Sequence, residues 1–570
     1  MHRLRIWTRG HVEVLRAWQR YTARHFVAWP RLTALYTQLK ALPTAQQTQW
    51  RRRCKATLWG VALCLAASGV QPVWADTITV DGTCTLVDAI TTANSDTNTG
   101  GCVQTGTVSA ADTIVLTVDT TLTTANNSTF GATGLPVISS VITIVGNGHT
   151  IMRIPADPDQ FRLIAINPSG DLTVQDTTLS GGLASVADVI AGGGAILNYN
   201  GQLRLEDCTV SGNSAPFGGG VYSHTLHSST FSLVNSTLSG NSAYFSGGGV
   251  SSSTHDSSTF SLVNSTLSGN SAYFSGGGVS SFTTGSSMVS LVNSTLSGNS
   301  AAFGGGVYTY DNSTFSLVNS TLSGNSADEG GGVYSRTYST STVALHQNLI
   351  AGNTAPYGDE VRRGNFGGNF LVNDSNLFGH NGVSTAAALS GFSAGITDIT
   401  ATSDGNDPTT LSAILDPTLA NNGGPTQTHA LPTGSPAIDA AGVCGLATDQ
   451  RGVTRPQGVA CDIGAFEVEA IPSSEVCGNC LDDDGDNKID VADEDCPALP
   501  LNKEKGAFGF KPDPDEDQLA LSATFPLGPV INPPNEGVIV QFFDAAGQLA
   551  CVQIPAGTGG AQIARLEGEN

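Results

Sequence analysis

From about residue 203 to 361 one short text is written six times. The Asn that closes each Ser-Gly-Asn or Ala-Gly-Asn stands at Asn213, Asn241, Asn270, Asn299, Asn325 and Asn353, in steps of 28, 29, 29, 26 and 28 residues. A period that steady marks a solenoid, in which each coil buries its apolar face against its neighbours. The filling of the period decides which kind. Segments such as Thr230-Phe231-Ser232-Leu233-Val234 alternate apolar and small polar residues, as strands with one buried face do. Three such pieces, around Leu233, Leu238 and Val250, are separated by Asn, Ser and Gly that accept tight turns. The expected fold is therefore all-β, a right-handed parallel β-helix with three strands per coil.

Coils stacked about one strand spacing apart, roughly 4.8 Å, set equivalent residues into ladders. Leu238, Leu267, Leu296 and Leu322 are expected inside the core. The six Asn are expected to stack at a turn, each amide bonding its copy in the next coil, with a left-handed backbone tolerated there. Four residues after each Asn comes an aromatic ladder of Phe217, Phe245, Phe274, Phe303 and Tyr357, with Glu329 as the exception.

With 68 Gly and only 13% charged residues, the chain is neither helical nor a typical compact enzyme. Twelve of its 25 basic residues lie in the first 75 positions beside a single acid, which leaves 13 against 47 and a net charge near −34. Nucleic acid, anionic lipid and polyanionic glycans all demand a basic surface, so they are poor partners.

Arg51-Arg52-Arg53 and Lys55 precede an apolar run from Ala56 to Val70, and Val73-Trp74-Ala75 offers a small-residue cleavage site. Residues 1–75 thus read as an extended signal peptide, and the mature chain is expected to be exported, secreted or surface-associated, without a transmembrane segment. Residues 76–111 read as an N-terminal cap. Leu86, Ala89, Ile90 and Ala93 recur at helical spacing, suited to closing the open end of a solenoid that spans 112–371.

Three stretches carry a family resemblance. Cys84, Leu86, Ala89, Ile90, Ala93 and Asn94 make the cap similar to the segment that names the CSLREAI motif-containing proteins, with Val87 and Asp88 in place of Arg-Glu. Gly192-Gly193-Gly194-Ala195-Ile196 and the strand-Asn elements resemble polymorphic outer membrane protein repeats. Asn421-Asn422-Gly423-Gly424-Pro425-Thr426, Ser435 to Ala440, Asp449-Gln450-Arg451-Gly452, Arg455-Pro456 and Asp462 to Glu467 resemble the choice-of-anchor Q domain, over 372–470. The resemblance implies a bacterial surface β-helix followed by an anchoring tail. In an exported chain, Cys84–Cys102 and Cys444–Cys461 are expected to be disulfides.

Residues 471–500 form an Asp-rich loop. Asp482, Asp484, Asp486, Asp490 and Asp493 hold loop positions one, three, five, nine and twelve, with the Lys488 carbonyl at seven, which suits one structural Ca²⁺. Residues 501–570 alternate as a β-sandwich-like module. Across 205–345 the charges are few and unpaired, and His224, His227 and His255 fall in what read as variable loops. No catalytic residues are assigned. The favoured function is a monomeric structural or adhesive protein that binds a host or environmental surface glycan or protein. The alternatives are a polysaccharide lyase or glycoside hydrolase of β-helix type and a neutral-glycan binder, the last resting on the aromatic ladder.

Overall fold

A computed structural model of the chain describes residues 76–469, apart from 106–110, 155–159, 312–313, 339–340, 365–366 and 373, together with short strands between 509 and 554. The signal segment and the whole Asp-rich loop, with its five Asp and Lys488, lie outside the described residues. The chain divides into two compact units, of which the one formed by Thr77–Gln104 and Ala110–Asn570 carries the solenoid.

Each coil crosses three parallel sheets in turn. Thr230–Val234 belongs to the first, Thr237–Ser239 to the second and Val250–Thr254 to the third. The first sheet stacks eleven strands from Asp76–Val80 to Asn369–Leu371, the second eleven from Thr120–Leu122 to Ile399–Thr400, and the third nine from Ile164–Ile166 to Leu389–Ser390. Every crossover joins parallel neighbours, the connection that β-strand twist makes right-handed. The architecture is the right-handed parallel β-helix that the period predicts. Register holds residue to residue, with Leu238, Leu267, Leu296 and Leu322 in one line and fully buried.

Helix α1 (Leu86–Ser95) buries Leu86, Ala89, Ile90 and Ala93 in the same core as Ile114, Leu116 and Ile138. Its N-cap is Thr85, whose hydroxyl accepts from Asp88 N and donates to Asp88 Oδ2 at 2.7 Å. Asp88, where the resembling family has Glu, therefore anchors the cap instead of a salt bridge. Cys84 and Cys102 are bonded at the base of this helix, and Cys444 and Cys461 farther along the chain. Cys208 is buried and unbonded, and burial pushes its thiol up to about 12.

The ladder Asn are buried and joined one to the next. Nδ2 of each donates to Oδ1 of its successor at 2.8–3.0 Å, from Asn213 through Asn241, Asn270, Asn299 and Asn325 to Asn353, and the backbone N–H donates to the same oxygen. Left-handed backbone falls one residue earlier than expected, on Gly212, Gly240, Gly269, Gly298, Gly324 and Gly352. Lacking a Cβ, glycine takes the turn without strain and leaves the following Asn free to aim its amide along the axis. Each Nδ2 also donates back to a carbonyl of the preceding coil, but the Asn-to-Asn bonds all run toward the C-terminal end, so the last Asn needs an acceptor beyond it. Glu360 supplies it, taking Asn353 Nδ2 at 2.6 Å, Asn353 N at 3.3 Å and Gly352 N at 3.0 Å. A second ladder at the preceding turn runs through Ser236, Ser265, Ser294, Ser320, Asn348 and Asn376 and ends in the same way, on Asp398.

After Ile399–Thr400 the chain folds back along the outer face of the second sheet. Gln450 bridges two coils, accepting from Thr295 Oγ1 at 2.7 Å and donating to Thr266 Oγ1 at 2.9 Å, while Ala465 N reaches Thr321 Oγ1. A buried pair, Arg455 with Glu467 at 3.0 Å, ties this strap together, and Arg451 lies 3.7 Å over the Phe466 ring while bonding Asp449. The residues that carry the anchor-domain resemblance are thus the knots of the strap. Beyond it, Val538–Asp544 and Gly547–Ile554 form an antiparallel pair.

Candidate functional site

The third strand of each coil is where the near-verbatim copies diverge. Aligned by their pairing, Val221-Tyr222-Ser223-His224-Thr225 is followed by Val250-Ser251-Ser252-Ser253-Thr254, then Val279-Ser280-Ser281-Phe282-Thr283, then Val307-Tyr308-Thr309-Tyr310 and Val333-Tyr334-Ser335-Arg336. Odd positions face the core and even positions face out, as a pleated strand requires. Two outer columns result. One reads Tyr222, Ser251, Ser280, Tyr308, Tyr334, and the other Tyr199, His224, Ser253, Phe282, Tyr310, Arg336.

Rings on neighbouring rungs of the second column stack, while Tyr308 and Tyr334 of the first meet edge-on at 5.6 Å. Tyr199 lies on His224 at 5.8 Å and Phe282 on Tyr310 at 5.0 Å. Where the rungs are serine the stack is interrupted, and a trough of about 350 Å³ opens. Phe217 and Tyr222 wall it at one end, and Phe282, Tyr308 and Tyr310 at the other. Ser251, Ser253 and Ser280 line it between them, with Ser246 and Ser275 along one side. Ser246 Oγ lies 3.4 Å from Ser251 Oγ, and Ser275 Oγ 3.5 Å from Ser280 Oγ. Contacts that long leave the hydroxyls capacity for a ligand. Every lining residue is Phe, Tyr or Ser. Burial pushes the Tyr222 and Tyr308 hydroxyls up to about 12, so both remain neutral donors and neither is a base near neutral pH.

The aromatic ladder borders this trough. Phe217, Phe245 and Phe274 stack at 4.9 and 6.0 Å, while Phe303 packs against Tyr334 at 5.9 Å. Tyr244 and Tyr273 meet Phe245 and Phe274 edge-on and turn the corner onto an open shelf of small residues. These two tyrosines stack at 5.8 Å and are 58% and 66% exposed. Glu329, the ladder's exception, pairs with Arg362 at 3.1 Å, and the Arg362 guanidinium lies over the rings of Tyr334 and Tyr357. An ion pair thus continues the ladder where the ring is missing.

Charged residues gather at the far end of the solenoid. Glu360 is fully buried at the end of the Asn ladder, and burial raises its carboxyl above the ordinary range. His380 Nδ1 stands 3.9 Å from it, too far for a hydrogen bond but near enough for the Glu360 charge to raise the imidazole above its ordinary value. Asp359 accepts from Ala355 N and Arg363 donates to Gly368 O. The Asp359–Arg363 cluster therefore terminates coils. His224 stands in the strand Val221–Thr225 and not in a loop, and burial lowers it, whereas His227 is exposed and 3.8 Å from Asp256. Among the described residues no group of three or more His, Cys, Asp or Glu could hold a metal, and no helix is long and apolar enough to cross a membrane.

The trough and the Asp398 cap escaped the reading of the sequence, which expects Asp359, Glu360, Arg362 and Arg363 to cap the last regular coil, as Glu360 does. A column of serines carries no motif, and its signal lies only in comparing copies at the second and fourth positions of the third strand.

None of the family models compared matches this chain, and no curated protein matches it. Among solved structures it is similar to the pectate lyase Pel9A, at a TM-score of 0.39 and 14% identity over 63% of this chain and 88% of that one. That likeness is too loose to carry a site, a substrate or an activity across.

Proposed function

We propose that the mature chain is an exported bacterial surface or secreted protein of the kind its cap and strap motifs resemble, and that it adheres through the aromatic flank of the solenoid without catalysis. The trough carries this reading. Ring faces and hydroxyls converge there, and neither a charge nor an ionised base stands among the lining residues. Exposed tyrosines on the neighbouring shelf extend the same uncharged chemistry over a broader surface. Aromatic faces beside hydroxyls suit apolar faces and hydroxyls of a neutral partner. Chain cleavage, the alternative, needs a base or a pair of carboxylates beside the bound polymer. The test is retention of the full mature chain on immobilised glycans and cell surfaces, run beside product assays on pectin, chondroitin and alginate. Retention without products supports adhesion, and sustained release of products overturns it.

A further inference from the structure

The trough has a definite size. Tyr222 and Tyr308 occupy the same column three coils apart, with Ser251 and Ser280 on the two rungs between them. At about 4.8 Å per coil the rings stand roughly 14 Å apart. Contact distance takes about 3.5–4.0 Å at each wall, leaving about 6–7 Å between them. A planar aromatic group would rattle in that space, whereas a six-membered sugar ring with its hydroxyls fills it. At about 350 Å³ the trough also lies at the small end of the ~300–1,000 Å³ typical of ligand clefts. Rings close both axial ends, so a polymer has no path through it along the solenoid.

Charge narrows the ligand further. No cation lines the trough, the Arg336 guanidinium one rung beyond is already held 5.4 Å over the Tyr310 ring, and the whole chain carries a net charge of −23, so uronates, sulfated sugars and phosphates meet net repulsion. Hydroxyls of Ser251 and Ser280 form the floor, each 5% exposed, and Tyr222 and Tyr308 bring ring faces and neutral hydroxyls. We propose that the trough is a one-residue site for a neutral sugar, which enters between Tyr222 and Tyr308 and stands in for the two rings that the column lacks. This rests on the adhesive reading of the same flank and adds to it the ligand class and the number of residues held.

Filling the gap provides the test. Ser251→Tyr with Ser280→Tyr should put rings on the two empty rungs, in ring contact as Tyr308 and Tyr334 already are on theirs, and close the trough. Titration calorimetry and saturation-transfer NMR on the full mature chain would use glucose, mannose, galactose and xylose, their neutral oligomers up to six residues, and a galacturonate hexamer. The expected result is binding of a neutral monosaccharide with an affinity that changes less than about threefold as the oligomer lengthens, and no binding of the galacturonate. The double Tyr variant should lose at least tenfold in affinity while keeping its melting temperature, and Tyr308→Ala, which opens one wall, should also lose at least tenfold. Undiminished binding in both variants, or affinity that climbs steeply with oligomer length, overturns the one-residue site. If the double variant fails to fold, Tyr308→Ala alone decides the matter. Loss of sugar binding in the filled variant with surface retention intact separates this site from the wider adhesive role. Absence of sugar binding by the wild-type chain while it still adheres overturns the site and leaves the adhesive reading standing.

Discussion

Removing the Glu360 side chain should loosen the C-terminal coils by an amount that can be worked out from its partners. In Glu360→Ala, Asn353 N loses its acceptor in a fully buried place and Gly352 N in a partly buried one, while Asn353 Nδ2 keeps the Leu322 carbonyl at 2.9 Å. The buried donor left unpaired costs about 1–3 kcal/mol and the partly buried one less, and relief from burying a carboxylate returns part of that, so the net loss should be about 1–3 kcal/mol. Glu360→Gln keeps an acceptor oxygen and removes the charge, which separates hydrogen bonding from electrostatics. The sign of the pH effect follows from the two raised groups. His380 is raised above 6.5 in the folded chain, so its contribution is fully present below pH 6.5 and lost as pH rises through its folded value. Glu360 is raised above 4.5, so its contribution too is present at low pH and lost as pH rises through its own raised value. Wild-type stability should therefore decline above pH 6.5 by a component that the Gln variant lacks. Hydrogen exchange at Asn325 and Asn353 with urea denaturation at pH 6 and pH 8 reads both effects, since coils in a solenoid respond locally before the whole chain does. Unchanged exchange in the Ala variant, or an identical pH slope in wild type and Gln variant, would refute the capping role.

Four other outcomes are expected. Leu267→Asp places an unpaired charge in the leucine ladder and should cost roughly 3–5 kcal/mol, so an unchanged melting temperature contradicts the register. Ser252→Ala with Ser281→Ala should leave stability unchanged or raise it, because both hydroxyls are buried without a partner in the described structure; a loss above about 1 kcal/mol per site would show the column to be hydrated. Replacing Cys84 and Cys102 together by Ser should cost about 2–4 kcal/mol by releasing an 18-residue constraint, measured by thermal unfolding against the oxidised chain. We also propose that Asp482, Asp484, Asp486, Asp490 and Asp493 bind one Ca²⁺ with the Lys488 carbonyl; calorimetry on the mature chain should show millimolar-range heat that Asp484→Asn with Asp486→Asn abolishes, and equal heat in that variant leaves only an acidic linker.

The solenoid was legible because its signals repeat. Leu238 and its copies, the Ser-Gly-Asn turns and the helical spacing from Leu86 to Ala93 each state one requirement several times over. What stayed hidden occurs once or consists of an absence. Asp398 ends the second ladder, and only the direction of the bonds along that ladder explains why an acceptor must stand there. The left-handed turn was placed on Asn because Asn tolerates it, although the adjacent Gly takes it without strain. In the strap, the resemblance marked Arg455 and Glu467 without showing that they are paired inside. The trough is a gap in two ring columns, and a gap has no motif.

That gap is also countable. Its width is a whole number of coils, and the coils that define it are nearly identical in sequence over 229–252 and 258–281. Unequal exchange between such copies deletes or adds one complete 29-residue cassette, the interval between Asn241 and Asn270, and rejoins Asn to Ser at an equivalent seam. Losing the cassette 236–264 would remove Ser251 and Ser253, set Ser280 alone between Tyr222 and Tyr308, and bring Phe282 directly onto His224. Ligand size on this scaffold would then change by recombination in discrete steps of about 4.8 Å, with every ladder rejoined and no point substitution needed. A chain shortened by that cassette should fold with a melting temperature near that of the parent and reject the sugar that the parent accepts.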